Sequence, residues 1–499
     1  SVNERVKTLI SCIEYGVHGN VPERQAHQGI GRRSRRGGGR ERRLGRQVRG
    51  AHRVRQVPGQ AAAAEAQAGE RGAARGAEVH PRVHAAHADG GAVAGAARVS
   101  GAARCRAAAA SAPGKVILHG EHSVMFGRTA LAGSLGLRTT LTIQEEEAAE
   151  PVLRLQFPAV DLEESIPLRC VVEHLFVGAR SARSWAAPRA VQHESLLAAV
   201  DGFVTAFVAS ADAWSGAQRN AVRGFLYLLA GVLGDEAPAH TVCVRATSAL
   251  AVGAGAGSSA AFAVCAAAAL LALRAGAAVE ALGADERALI SAWAFNCERI
   301  MHGAPSGIDN WTCTFGGLVS FRKGSAARPL QLAARLRVLL VDTRVSRQTG
   351  QLAARVAALR ARHPRAADCV IDACGHVADD AAQLLQQLPG DAAGDAADDA
   401  VGDTDSQYRH LAELWDMNHC LLAALGVSHA ALEDIRRRAA AHRLAAKLTG
   451  AGGGGNAIVL IPPSTAEDAV RALSDELRSA GYGVTDTLLG GEGVTLHRA

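Results

Sequence analysis

Four short stretches hold residues whose types could do chemistry. In "SGIDN", Asp309 follows the helix breakers Gly303 and Pro305. A carboxylate there can shape a turn or accept the proton of an attacking alcohol. In "PGKVIL", Lys115 stands behind Pro-Gly at the head of a run that reads as a buried strand, where a lone lysine is ordinarily solvated. In "NCERI", Glu298 lies beside a stripe of Ile290, Trp293, Cys297 and Ile300 at helical spacing, ordinarily a surface position. The fourth stretch, "VGAGAGSSAAFAV" from Val252 to Val264, sets three glycines and two serines ahead of an alanine-rich run.

Gly255-x-Gly257-x-x-Ala260 matches the dinucleotide-binding turn, and so does Gly450-x-Gly452-x-x-Gly455. That fold needs a helix and then a second strand with an acid about 20 residues on. After the first match the helix at 258–274 gives way to loop and helix instead of a strand, and a strand rather than a helix follows the second, so both fail. No G-x-x-x-x-G-K-[ST] occurs either. Two readings stay open for the loop. Its backbone N–H groups could converge on a phosphate at a helix N-terminus. Ser258 and Ser259 could then reach a metal; the loop could equally be plain capping by these serines with close Ala/Gly packing.

The elements that must position these groups lie in a chain of 499 residues, enough for two or three domains. Its 48% hydrophobic and 20% charged content is a globular profile. The net charge of +6 is unevenly spread: residues 1–110 hold 20 Lys+Arg against 8 Asp+Glu, and the remainder is net acidic. A nucleic-acid partner is therefore not expected for the folded part. The first 110 residues, rich in Arg, Gly and Ala, show neither helical nor strand periodicity and read as a disordered basic tail. No apolar run is both long and bulky enough to predict a membrane span; 258–274 comes closest. The ten cysteines show no C-x-x-C and suit a reducing cytosol.

From Ser111 the pattern predicts order. "LRTTLTIQ" alternates, with Leu137, Thr139, Leu141 and Ile143 on one face. Helices are expected near 194–209, 219–233, 258–274 and 285–301, with a strand at 240–247. "RVLLVDT" at 337–343 opens a second half, with helices at 346–360 and 366–388. An acidic insertion near 390–406 reads as an exposed loop. Strands and helices mix without βαβ regularity, which predicts an α+β fold in two lobes, 111–335 and 336–499.

Taken in order, "SAPGKVILHGEHSVMFG", the Gly/Ser loop, "CERIMHGAPSGIDNWTCTFGG" and "KLTGAGGGGNAIVLI" resemble the GHMP small-molecule kinases from about Ser111 to the C-terminus. The wording "HGEHSV" and "HGAPSGIDN" is closest to the members that phosphorylate mevalonate. The resemblance implies a ribosomal protein S5 domain 2-like N-terminal lobe and a ferredoxin-like C-terminal lobe. It implies Asp309 as catalytic base with Lys115 beside it, and ATP held by Lys115 and by Gly253, Ala254, Gly255, Ala256, Gly257, Ser258 and Ser259. Mg2+ would sit on Ser259 and Glu298. The acceptor would meet His122, Arg347 and Thr349, and Gly450, Gly452, Gly453 and Gly454 would shape the floor of the site. The implied reaction converts ATP and (R)-mevalonate to ADP and 5-phosphomevalonate in isoprenoid and sterol synthesis. Family members are commonly cytosolic homodimers, inhibited by isoprenyl diphosphates.

The chain departs from the family's pattern in four respects. "LAVGAGAG" lacks the usual proline, Ala256 replaces leucine, Ala304 replaces asparagine, and Asn456-Ala457 replaces Cys-Gly. None removes a proposed catalytic group. The alternatives are a sibling kinase for another small alcohol and a non-catalytic ligand-binding regulator on the same fold.

Overall fold

The structure is a computed structural model and describes residues 105–176, 186–188, 191–276, 281–303, 305–332, 335–346, 349–388 and 398–498. The basic stretch up to residue 104 lies outside it, as does Arg347. Strands β1 (Ala107–His119), β2 (Ala130–Glu146), β3 (Val152–Phe157) and β4 (Leu162–Pro167) come first. Helices α1 (Leu168–Leu175), α2 (His193–Phe207) and α3 (Gly216–Leu233) lead to β5 (Thr241–Ser248). Then follow α4 (Ser258–Ala275), α5 (Ala284–His302) and α6 (Ile308–Phe315). The second half comprises β6 (Leu318–Phe321), β7 (Arg328–Leu330) and β8 (Leu336–Asp342), then α7 (Thr349–Arg362), α8 (Pro364–Gln387), α9 (Asp398–Ala424) and α10 (Ala430–Ala441). β9 (Ala446–Leu448), β10 (Asn456–Ile461), α11 (Glu467–Ser479), β11 (Gly483–Leu489) and β12 (Thr495–His497) close the chain.

This is the expected α+β architecture in two lobes. The main path of the sheet runs β4-β3-β5-β2-β11-β8-β10-β9. The long strand β2 also carries β1 and β6, and it meets β11 only at Leu135 opposite Leu489, where the two halves join. Two apolar cores pack the frame: a large one around Leu141, Ile143, Phe225 and Trp293 that extends into the second half at Val338, Trp415 and Ile458, and a smaller one within the second half around Val341, Ile435, Val459 and Leu473. The last strand returns to the first half, with Ala109 opposite His497.

The alternation read in β2 is observed, with Thr139, Leu141 and Ile143 buried. The first strand starts at Ala107, four residues ahead of Ser111. The alanines of β1 carry no bulky signal, but they allow the alanine-rich α4 to lie close against the strand, with Ala110 and Ala112 fully buried. Glu145 anchors this end by accepting from the Arg106 guanidinium at 2.8 and 3.0 Å. Helix α4 is long and apolar enough by composition to cross a membrane, yet it is a core helix buried from Ala260 to Leu273. The acidic insertion is not loop throughout: α9 begins at Asp398. Downstream, the buried face of Tyr408, Leu411 and Trp415 continues the helix, and Asp405 accepts from the Ser464 hydroxyl at 2.7 Å.

Candidate active site

β1 brings Lys115 to the N-terminus of α4. The Lys115 N–H donates to the Ala256 carbonyl at 2.8 Å, fixing the strand to the glycine loop. Gly257, with φ +76°, turns that loop into the helix. A Cβ on it would lie 2.8 Å from Lys115 Cγ, so only glycine fits without displacement. Gly253 and Gly255 also take positive φ, which opens the loop outward. Among the described residues, no hydrogen bond engages the N–H groups of Gly253, Ala254, Gly255, Ala256, Gly257 and Ser258. A row of free N–H donors at a helix N-terminus is an anion cradle.

Asp309 sits in the first turn of α6, which starts after Gly307 in the left-handed conformation. Its Oδ1 lies 2.9 Å from Lys115 Nζ. Glu298, one turn from the end of α5, is 1% exposed rather than on the surface as its spacing had suggested. Burial, then the Asp309 charge, pushes its carboxyl up to about 7; the Ser259 hydroxyl and Lys115 pull the other way. Glu298 Oε1 is buried without a hydrogen-bond partner. Ser259 Oγ lies 3.1 Å from His302 Nε2, which in turn lies 3.7 Å from Glu298 Oε2. Burial lowers the His302 pKa, favouring the neutral ring.

His302 was missed as a site residue although it lies in the quoted motif. It follows Glu298 by one helical turn, so the two share a face, and that spacing was the available signal. Among the described residues, no group of three or more His, Cys, Asp or Glu could hold a metal alone. An orphaned buried carboxylate oxygen beside a serine hydroxyl nevertheless fits a hard cation that keeps water and phosphate ligands.

A cavity of about 210 Å³ opens beside Asp309. Ile117, Met125, Ile308 and Phe321 line it with apolar surface, and Ser306 and Thr349 add hydroxyl-bearing side chains. His122 and Gly450 also border it. His122 holds a left-handed backbone (φ +60°), its Nε2 2.9 Å from the Ala451 carbonyl oxygen. Burial lowers its pKa, against the pull of that carbonyl. Gly452 approaches the Val427 backbone, Gly453 the Leu352 side chain and Gly454 Val345, so these glycines allow close packing just behind the cavity rim. Loop, Lys115, Asp309, Ser259, Glu298, His122 and Thr349 thus meet in one region, whereas Arg347 lies outside the described residues.

A glycine loop with free N–H donors, a Lys–Asp pair and a cavity of about 210 Å³ meet on a two-lobed α+β frame, and sequence comparison identifies this frame as that of the GHMP kinases. The pattern of the GHMP kinases N terminal domain matches residues 220–317, and that of the GHMP kinases C terminal matches 396–479. The chain is 34% identical over 397 residues to mevalonate kinase of Bos taurus, covering 78% of this chain and 94% of the relative. It is 33% identical to mevalonate kinase of Arabidopsis thaliana, covering 78% and 98%. The chain belongs to the mevalonate kinase family. Among solved structures, an L. major mevalonate kinase in complex with R-mevalonate shares the fold with a TM-score of 0.55 and 21% identity, covering 77% of this chain and 96% of that one.

Proposed function

We propose that this protein transfers the γ-phosphoryl group of ATP to the 5-hydroxyl of (R)-mevalonate, giving ADP and 5-phosphomevalonate. The observation that carries this reading is the Lys115–Asp309 pair, 2.9 Å apart where the glycine loop meets the apolar cavity. The acceptor occupies the cavity with its hydroxyl at the Asp309 carboxylate. Its methyl and methylene groups suit the apolar wall better than a polyhydroxylated sugar would. Asp309 accepts the hydroxyl proton as the oxygen attacks the γ-phosphorus and the bond to the ADP oxygen breaks. Lys115 offsets the negative charge that develops on the entering and transferred oxygens. The N–H groups from Gly253 to Ser258 hold the triphosphate in line. His122 and Thr349 contact the acceptor, with Arg347 pairing its carboxylate.

Mg2+ would be held by Ser259 and Glu298, where it would neutralise phosphate charge. Homodimerisation and competition by isoprenyl diphosphates complete the proposal and rest on the family resemblance. A cytoplasmic location is supported further by the nine cysteines of the described residues, all free. A sibling kinase is not favoured, since the relatives at 33–34% identity are mevalonate kinases, and a binding-only regulator is not favoured, since the base, the cation and the carboxylate all converge. A coupled ADP-release assay on the full chain tests the reading with mevalonate, galactose, homoserine and phosphomevalonate. Turnover confined to mevalonate is expected; preference for another alcohol, or none, overturns it.

A further inference from the structure

Asn456 stands where the family usually has cysteine, and its side chain does something a thiol does poorly. Its Nδ2 donates to the Ala254 carbonyl at 2.8 Å, in the middle of the glycine loop. The residue is 2% exposed and opens β10, where it pairs with Asp342 of β8. Its own carbonyl accepts from the Thr449 N–H at 3.1 Å, and the preceding Gly455 carbonyl accepts from the Thr343 N–H and hydroxyl at 2.9 and 2.7 Å. The donor is therefore held by rigid strand. The loop it grips is not: three of its residues are positive-φ glycines, and Val252 at its start is 47% exposed. Among the described residues, the other hydrogen bond fixing the loop to the body is that of the Lys115 N–H to Ala256.

The far end of the same C-terminal glycine segment borders the other half-site. Gly450 and Ala451 line the acceptor cavity, and the Ala451 carbonyl holds His122. One segment thus touches the nucleotide loop at Asn456 and the acceptor cavity at Gly450–Ala451. We propose that Asn456 is a positioning residue that latches the nucleotide loop to the floor of the acceptor cavity, so that nucleotide and acceptor bind with positive coupling. The inference rests on the phosphate-cradle reading of that loop. The latch takes up a carbonyl and leaves the N–H groups free for phosphate. By restricting a glycine-rich loop beforehand, it lowers the ordering entropy lost on binding. A cysteine S–H is a weak donor and would grip less.

The test is calorimetry on the full chain, using the non-hydrolysable β,γ-imido analogue of ATP with Mg2+, and mevalonate, each alone and in the presence of the other. In Asn456→Ala the analogue should bind about fivefold more weakly, the worth of one hydrogen bond. The mutual tightening of analogue and mevalonate expected in the unaltered protein should shrink, equally from either side, as linkage requires. Kinetically, KM for ATP should rise by more than kcat falls. Asn456→Cys keeps a small buried side chain and provides the same comparison should the alanine variant fold poorly. If both variants bind the analogue as the unaltered protein does, or if the unaltered protein shows no mutual tightening, the latch is wrong. If the unaltered protein does not bind the analogue at all, it is the phosphate-cradle reading that fails instead.

Discussion

Lys115 Nζ lies 2.9 Å from Asp309 Oδ1, but the two side chains are unequally covered, 10% and 33% exposed. The lysine is fixed by the strand beneath it and the aspartate opens toward the cavity, which is the arrangement a base needs if a substrate proton is to reach it. Asp309→Asn should lower kcat by about a thousandfold, within the range for a lost general base. Lys115→Met should lower it by about a hundredfold or more, with KM values changing far less. Near-UV circular dichroism should show both variants folded. Near-normal turnover in Asp309→Asn would remove it as the base.

Glu298 makes stability depend on pH with an unusual sign. Its folded pKa is raised, mainly by burial, to about 7 from the ordinary 4.5. Between these values the native state holds a proton that the unfolded chain has released. Its contribution to stability is therefore fully present below about 4.5 and is lost as pH rises toward 7, by roughly 3 kcal/mol at most. His302, with its lowered pKa, acts in the opposite sense as pH falls. The difference between the unaltered protein and Glu298→Gln isolates the carboxyl. Denaturant midpoints measured from pH 5 to 8 without metal should converge for the two proteins as pH falls, and the gap between them should change with this sign. A pH-independent gap would refute the buried-carboxyl account.

Gly257 joins loop to helix at φ +76°, with Lys115 Cγ 2.8 Å from where a Cβ would stand. Gly257→Ala should cost about 1–2 kcal/mol for the left-handed backbone alone. It should also displace Lys115 or the loop, raising KM for ATP and lowering kcat together. Gly276, at the other end of the same helix, also has positive φ but has nothing within 4 Å of its would-be Cβ. Gly276→Ala, at a backbone conformation (φ +68°, ψ −159°) that in practice only glycine adopts, should lose at least as much stability while leaving KM for ATP near normal. Equal kinetic effects from the two changes would show that strain, not position, is responsible.

Much of this site was legible because its residues punctuate the chain. Gly303 and Pro305 mark the helix stop before Asp309, and the serines mark the start of α4. What was not legible came from packing between distant segments. Glu298 reads as a surface acid because helical spacing gives its face but not what covers it. The alanines at 107–110 have too little hydrophobic amplitude to announce a strand, although the alanine helix α4 needs them small. Asn456 registered only as a departure from a pattern; its bond to Ala254 exists because the sheet carries β10 to the nucleotide loop.

Glu121 and Lys447 form a fully buried ion pair of 2.6 Å between the turn after β1 and strand β9. Burial pushes the glutamate pKa up and the lysine pKa down, each partly restored by the other's charge. Glu121 also lines the acceptor cavity and precedes the strained His122. Lys447→Met leaves a carboxylate buried without its counter-charge and should cost about 3–5 kcal/mol. Adding Glu121→Gln removes that charge, so the double variant should recover much of the loss rather than add to it. The recovered protein should still bind the acceptor more weakly, because the turn carrying His122 has lost one of its ties to the second half, although it keeps the His122–Ala451 contact. Denaturant melts of the four proteins and KM for mevalonate in the double variant check both halves. Additive single losses would show that the two side chains do not stabilise one another. A double variant with unchanged KM would free His122 from dependence on the pair.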